Sequence, residues 1–314
     1  MEINKIYNES CMDTIKKMPD NFIDCVITSP PYWQLRDYGY DGQWGLENNF
    51  NDYLDNLWGL MNEIKRVLKP SGTVWINLGD TYARGNRKKD STNDTLRNKS
   101  KIIEPNSKPN YNGLDKCLLL IPHRFAIGCI DRGWIVRNDI IWAKRNGMPE
   151  SVNDRFTKKH EYIFFMTKST EYYFDLDSIR DMHKWANDKR NDGKRHTYNE
   201  LVKSMNNEKL SSNAVSFNPK GKNPGSVSDF WDITTKPNKS NHFASYNKEL
   251  ILKPILSGCP ENGIIYDPFM GTGTTAICSM LNNRNYIGSE MNIDYYNESL
   301  KRIENNIDYQ QKLF

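Results

Sequence analysis

Apolar residues along this chain follow two rhythms, separated by long polar stretches. The unbroken run Phe22-Ile-Asp-Cys-Val-Ile27 predicts a buried strand, preceded by a helical turn and followed by Thr28-Ser-Pro-Pro-Tyr-Trp33. Between residues 52 and 68, Tyr53, Leu54, Leu57, Trp58, Met61, Ile64 and Leu68 share one helical face. Pro70-Ser-Gly72 ends that helix, and Thr73-Val-Trp-Ile-Asn-Leu78 predicts the next strand. Strand–helix–strand is the unit from which parallel sheets are built.

Farther along, the pattern predicts a helix from Pro122 to Arg132 stopped by Gly133, then a strand over Trp134–Trp142. Strands at His160–Thr167 and Tyr172–Asp175 read as an antiparallel hairpin at one edge of the sheet. A helix over 246–257 leads into the last unit. That unit is strand Gly263–Tyr266, loop Asp267–Gly273, helix Thr274–Leu281, strand Asn285–Gly288, Glu290, and an amphipathic helix from Asp294. The alternation predicts an α/β fold with a mostly parallel sheet and no internal repeat.

Composition changes this picture mainly through the polar stretches. Residues 84–110 hold eight Lys/Arg against three Asp/Glu, and residues 181–240 hold eleven against seven, although the whole chain carries only +4. Positive charge is therefore concentrated in the two least apolar segments, as suits contact with a polyanion, or simply two solvated loops. The 17 Tyr, 12 Phe and 8 Trp exclude a disordered chain. The six cysteines are scattered without a Cys-x-x-Cys pair or a Cys/His cluster, which argues against a metal site. No apolar run approaches a membrane span, so the expected location is the cytoplasm, with no membrane partner.

Two loops carry candidate chemistry. Asp267-Pro-Phe-Met-Gly-Thr-Gly-Thr-Thr-Ala276 joins a strand to a helix, and Gly271 and Gly273 permit a tight turn with backbone N–H groups close to a ligand. Glu290 follows Gly271 by 19 residues at the end of the next strand, where a carboxylate could accept from two ribose hydroxyls. The spacing also satisfies G-x-G-x-x-A, so a nicotinamide dinucleotide fits this loop as well, and an unliganded glycine turn remains open.

The second loop, Ser29-Pro-Pro-Tyr32, follows a buried strand at the edge where open α/β sheets bind ligands. Pro30 and Pro31 stiffen the backbone and remove two donors, leaving the Ser29 hydroxyl and the Ser29 and Pro30 carbonyls as acceptors beside the Tyr32 ring. Acceptors of this kind suit the exocyclic amine of cytosine or adenine, whose lone pair is delocalised into the ring. Hydrogen bonds taken from both N–H groups draw the nitrogen towards tetrahedral geometry, while an aromatic face stacks on the extruded base. The plainer reading of this string is a proline-stiffened turn ending a strand.

The two loops together resemble the β class of DNA amino-methyltransferases, in which the catalytic loop comes first, a recognition region follows, and the cofactor loop comes last. Leu35-Arg-Asp-Tyr-Gly39, Gly42-Gln43, Gly45, Asn77-Leu-Gly-Asp80, Met148-Pro-Glu-Ser-Val152, His160-Glu-Tyr162 and His242-Phe-Ala244 resemble one branch of that class, frequent in phages and prophages. The resemblance implies an S-adenosylmethionine-dependent, Rossmann-like fold in circularly permuted order, with a seven-stranded, mostly parallel sheet bearing an antiparallel edge hairpin. It implies one domain over 1–314 with DNA-contacting inserts at 84–113 and 181–240, the latter for target recognition. S-adenosyl-L-methionine is then the cofactor, held by Thr28, His242, Phe243, Ala244, Asp267, Pro268, Phe269, Gly271, Gly273, Thr274 and Glu290. The catalytic residues are Ser29, Pro30, Pro31 and Tyr32, and no metal is expected.

The implied activity is site-specific methylation of a flipped base in double-stranded DNA. Ser at position 29 favours cytosine N4, with adenine N6 the alternative. The resemblance leaves room for a homodimer and for a cognate restriction endonuclease, in a bacterial or phage-encoded setting. Many relatives carry Asp where this chain has Ser10, within Tyr7-Asn8-Glu9-Ser10-Cys11, a weaker acceptor for the adenine end of the cofactor. No Pro-Cys occurs, which disfavours the thiolate mechanism of carbon methylation. An RNA methyltransferase, a nicotinamide oxidoreductase and a non-catalytic DNA-binding protein remain as other classes. His160 and Glu161 begin a strand beside the site, where a functional role is open and structural hydrogen bonds are the first expectation. His123 is expected to cap a helix or lie on the surface, Cys25, Trp75 and Trp142 to pack in the core, and Trp33 either to line the base pocket or to brace the loop.

Overall fold

The computed structural model describes residues 1–83, 101–102, 115–147, 150–180, 227–234 and 247–311, with 101–102 and 308–311 as backbone. The chain divides into two units, Met1–Phe174 with Asp229–Phe314, and Asp175–Ser228. The second is described only at its two ends, where a helical turn spans Asp177–Ile179.

The first unit is built on one eight-stranded sheet. Its strands are β1 (Lys5–Tyr7), β2 (Ile23–Thr28), β4 (Leu68–Leu78), β6 (Ile135–Ala143), β7 (His160–Thr167), β8 (Phe230–Asp232), β9 (Ile264–Asp267) and β10 (Asn285–Ser289), in spatial order β1-β10-β9-β2-β4-β7-β6-β8. Every pairing is parallel except those of β7, which runs against both β4 and β6. A separate antiparallel pair joins β3 (Arg36–Asp37) to β5 (Lys101–Ile102), a two-residue piece of the first polar stretch.

Alternation along the strands explains the layers. Val26, Val74, Ile76, Phe164 and Met166 point into one buried cluster with Leu54, Leu57, Met61 and Ile64 of α2 (Phe50–Val67) and Phe125 of α3 (Ile121–Asp131). Their strand neighbours Cys25, Ile27, Trp75, Ile163 and Phe165 point the other way, onto Leu250, Ile251 and Ile255 of α4 (Lys248–Gly258). Period-two alternation thus gives each face of the sheet its own apolar layer and each layer its helices. Asn49 caps the start of α2 by accepting from the Asn51 N–H, and Ser10 does the same for α1 (Cys11–Lys16) from the Asp13 N–H. The remaining helices are α5 (Thr274–Leu281) and α6 (Ile293–Gln311).

Three sequence expectations are corrected. The antiparallel hairpin is formed by β6 and β7, and Tyr172–Asp175 is not a strand. Its aromatic residues cover the sheet instead: Tyr172 meets Phe165 edge-on at 5.7 Å and Phe174 stacks on it at 5.6 Å. The hairpin is not at the edge, because β8 pairs with β6 beyond it, seated by Trp231 (5% exposed) and by the Trp142 indole donating to the Ile233 carbonyl at 2.8 Å. Polar segment 181–240 therefore contains a strand of the central sheet, and with β1 the sheet has eight strands rather than seven.

Gly258 lets the end of α4 rest directly on β4. Thr73 donates to the Gly258 carbonyl at 2.7 Å, the Trp75 indole donates to Thr73 at 3.1 Å, and a Cβ on Gly258 would lie 2.5 Å from the indole nitrogen. Gly258→Ala is expected to cost about 1–3 kcal/mol of stability by chemical denaturation. A change below about 0.5 kcal/mol, the size typical of neutral surface substitutions, would contradict this close approach.

Candidate active site

The carboxyl ends of β2, β4, β9 and β10 lie along one edge, where open α/β sheets place their ligands. Because β7 runs antiparallel, its first residues, His160 and Glu161, reach the same edge; Tyr162 pairs with Leu78 at the end of β4. This strand order brings together residues far apart in sequence.

Asp267, at the end of β9 and 1% exposed, ties the two sequence-predicted loops into one body. Its carboxylate accepts from the Thr28 hydroxyl at 2.7 Å, the Thr275 hydroxyl at 2.6 Å and the Phe269 N–H at 3.0 Å. Thr28 ends β2 just ahead of Ser29-Pro-Pro-Tyr32, while Phe269 and Thr275 belong to the glycine loop and the first turn of α5.

Within the first loop, the Pro31 carbonyl accepts from the buried Tyr53 hydroxyl at 2.8 Å. The carbonyls of Ser29 and Pro30 accept from no described residue. Trp33 is 4% exposed, donates to the Glu47 carbonyl at 2.9 Å and meets Phe50 edge-on, so it braces the loop. Gly79 makes room for the Tyr32 ring, since a Cβ there would fall 2.5 Å from it. The Tyr32 hydroxyl donates to Glu161 at 2.7 Å, Asn77 donates to both Tyr32 and Glu161, and Ser29 lies 3.5 Å from the Tyr32 oxygen. Burial and the neighbouring Glu161 carboxylate push the Tyr32 hydroxyl well above its usual range, so it stays a neutral donor.

The second loop folds back on β10. Gly271 (φ +54°) donates to Glu290 at 2.8 Å, Asn292 donates to its other oxygen at 2.8 Å, and Gly288 admits Met270 where a Cβ would stand 2.4 Å from it. Gly273 (φ +80°) opens α5, with Ser299 3.1 Å from where its Cβ would be. A Cβ on Gly271 would meet nothing within 4 Å, so the space above the loop is open. Burial pushes the Glu290 carboxyl up to about 7, and the two backbone amides only partly offset this. Around it, Tyr295 meets Tyr38 edge-on and Trp44 meets Phe269 at 5.4 Å, while burial and Glu290 together raise the Tyr40 hydroxyl. This is an aromatic-walled cradle whose buried acceptor lacks a cation partner among the described residues. A neutral polyol edge, such as a ribose, fits it.

The structure thus brings together Thr28, Ser29, Pro30, Pro31, Tyr32, Asp267, Pro268, Phe269, Gly271, Gly273, Thr274 and Glu290. His242, Phe243 and Ala244 lie outside the described residues, as do most of 84–113 and 181–240. Ser10 is committed to capping α1. Asn77, Lys144 and Glu161 lie beside the catalytic loop without having been assigned to it. As expected, His160 and Glu161 both make structural hydrogen bonds, His160 to the Tyr162 hydroxyl at 3.2 Å and Glu161 to Tyr32, Asn77 and Lys144. The available signal was a carboxylate at the second position of a strand whose middle, Tyr162–Met166, is apolar or aromatic.

Comparison with known proteins gives one answer. The family model N6_N4_Mtase, described as DNA methylase, matches residues 23–301. Type II methyltransferase M.Cfr9I of Citrobacter freundii is 32% identical over 97% of this chain and 89% of its own length. Type II methyltransferase M.SmaI of Serratia marcescens is 34% identical, with 95% and 90% covered. Among solved structures, PvuII DNA methyltransferase (cytosine-N4-specific) superposes with a TM-score of 0.63 at 15% identity, covering 98% of this chain and 91% of that one. The M1.HpyAVI–SAM complex superposes with a TM-score of 0.52 at 18% identity, covering 95% and 98%. These two share the fold. From the extent of the family match and the identity to its relatives, the chain belongs to the N6_N4_Mtase family of DNA methylases.

Proposed function

We propose that this DNA methyltransferase of the N4/N6 type transfers a methyl group from S-adenosyl-L-methionine to the exocyclic N4 amine of a cytosine drawn out of duplex DNA. The observation that carries this reading is Asp267, which fixes the amine-accepting loop and the cofactor cradle to each other through Thr28, Phe269 and Thr275. When bound, the cofactor supplies a methyl group on a sulfonium centre. Glu290 would accept from the ribose hydroxyls and Phe269 would wall the methionine end, with Thr28, Pro268, Gly271, Gly273 and Thr274 shaping the floor. His242, Phe243 and Ala244 would complete that pocket. The Ser29 hydroxyl and the carbonyls of Ser29 and Pro30 accept from the target amine and restore its lone pair, while the Tyr32 ring holds the base by stacking.

The polar segments 84–113 and 181–240 would grip phosphates and read base edges. Ser29, where an aspartate would suit adenine, favours cytosine. Its relatives M.Cfr9I and M.SmaI are Type II methyltransferases, which supports a setting of restriction and modification with a cognate endonuclease as partner. Among the described residues no helix is long and apolar enough to cross a membrane, and no group of three or more His, Cys, Asp or Glu could hold a metal. Mass spectrometry of nucleosides from treated duplex DNA tests the base: N4-methylcytosine is expected, and N6-methyladenine would overturn the assignment of the target.

Glu290 makes cofactor affinity depend on pH. Its carboxyl titrates at about 7 in the free protein, and hydroxyl donors favour the ionised form, so binding lowers its pKa and releases a proton. Affinity should fall as pH drops below about 7, by up to about tenfold per unit, and level off above. Calorimetry at pH 6 and 8 checks this; equal affinities without proton release would contradict the role of Glu290.

A further inference from the structure

We propose that Glu161 is a positioning residue that sets the direction of the hydrogen bonds in the catalytic loop, so that the Ser29 hydroxyl presents its lone pairs to the target amine. The inference rests on the amine-methylation reading above and adds to it a residue outside the catalytic loop, 129 positions from Tyr32.

Both Glu161 oxygens are occupied. Oε1 takes the Lys144 ammonium, and Oε2 takes the Tyr32 hydroxyl at 2.7 Å and the Asn77 amide nitrogen at 3.0 Å. An ionised carboxylate only accepts, so Tyr32 must donate its single proton to Glu161. The Tyr32 oxygen can then only accept from its other neighbours, the Asn77 amide and the Ser29 hydroxyl at 3.5 Å. The Ser29 proton is thereby turned towards Tyr32 and away from the pocket; the Asn77 amide, at 3.4 Å, takes one Ser29 lone pair, and the other is left for an N–H of the base. A hydroxyl rotor next to a donor amine would otherwise be free to point its own proton into the pocket, where it would oppose the amine.

The charge on Glu161 is maintained locally. Burial opposes it, but the Lys144 ammonium and the hydrogen bonds from Lys144, Asn77 and Tyr32 outweigh burial and hold the carboxyl below its usual range. Lys144 approaches from β6, Asn77 from β4 and Tyr32 from the loop after β2; Lys158 and His160, just before and at the start of β7, complete the charged and titratable groups around it. In Glu161→Gln the amide faces a conflict: its oxygen towards Tyr32 sets its NH2 against Lys144, and its NH2 towards Tyr32 reverses the chain of bonds to Ser29.

Single-turnover methylation of duplex DNA tests this with two variants. Glu161→Gln should lower the rate constant roughly ten- to a hundredfold, with dissociation constants for cofactor and DNA unchanged. Lys144→Met keeps the carboxylate and its bonds from Asn77 and Tyr32 but removes the cation that does most to oppose its burial, so its pKa rises. With cofactor and DNA saturating at each pH, which removes the Glu290 effect on affinity, the variant's rate should then fall as pH decreases from 8 to 6, where the wild type stays level. A Glu161→Gln rate equal to wild type, or a Lys144→Met profile as level as wild type, would overturn the inference; if Glu161→Gln fails to fold, the Lys144→Met profile decides it. A wild-type protein that methylates no DNA base would instead overturn the amine-methylation reading, and this inference with it.

Discussion

Tyr32→Ala is expected to slow methyl transfer roughly a hundredfold or more at temperatures where the protein remains folded. Stacking of a base on an aromatic side chain is worth about 1–3 kcal/mol, and its loss removes the surface that holds the extruded base against the acceptors. The hydroxyl has a separate effect, because its removal strips Glu161 and Asn77 of their shared partner. Tyr32→Phe isolates that part: the ring remains, Glu161 still accepts from Asn77 and Lys144, and the expected loss is only about tenfold. The ring is partly buried against the main apolar cluster and Gly79, and its hydroxyl serves Glu161 and Asn77. A loss of about 1–3 kcal/mol of stability therefore accompanies Tyr32→Ala, to be separated from the rate effect by measuring below its melting range. Single-turnover rates and thermal melts of both variants check this. A Tyr32→Ala rate close to wild type would remove the stacking role.

Asp267→Ala should act on stability and function together. It leaves the Thr28 and Thr275 hydroxyls and the Phe269 N–H without their acceptor in a region closed to water. Each stranded donor costs about 1–3 kcal/mol, and roughly 3–5 kcal/mol is expected in all. That is a large part of the 5–15 kcal/mol typical of a folded domain. Asp267→Asn should be milder, about 1–2 kcal/mol, since its oxygen still serves Thr28 and Phe269 while the Thr275 hydroxyl can rotate to accept. Urea unfolding measures the loss, and cofactor binding should weaken in parallel because both loops lose their common anchor. An Asp267→Ala protein with a wild-type midpoint would show that the loops are held apart from this residue.

The layered α/β design was legible because β2, β4 and β7 carry apolar residues on both faces and α2 carries them on one. Short strands were not. In β1, Ile6 is the one aliphatic residue of three, too short a run for periodicity, and β8 is a Phe-Trp-Asp triplet inside a polar stretch. Tyr172–Phe174 misled for the opposite reason: aromatic residues that pack onto a sheet look, in sequence, like residues that extend it. Ser29, Tyr32, Asp267 and Glu290 could be read because each lies in a compact motif with its own local chemistry. What joins them could not be read. The Thr28–Asp267 bond spans 239 residues and the Tyr32–Glu161 bond 129, and both follow from strand order rather than from neighbouring sequence. Glu161 therefore looked like an ordinary polar interruption of a strand until β7 was seen to run antiparallel into the site.

The most direct test of the central claim is to incubate the protein with duplex DNA and methyl-labelled S-adenosylmethionine, with RNA as competitor, and to locate the label after digestion to nucleosides. Label is expected on the exocyclic nitrogen of a DNA base, abolished by Tyr32→Ala and undiminished by RNA. Label on a ring carbon, label confined to RNA, or no transfer to any base would contradict that claim.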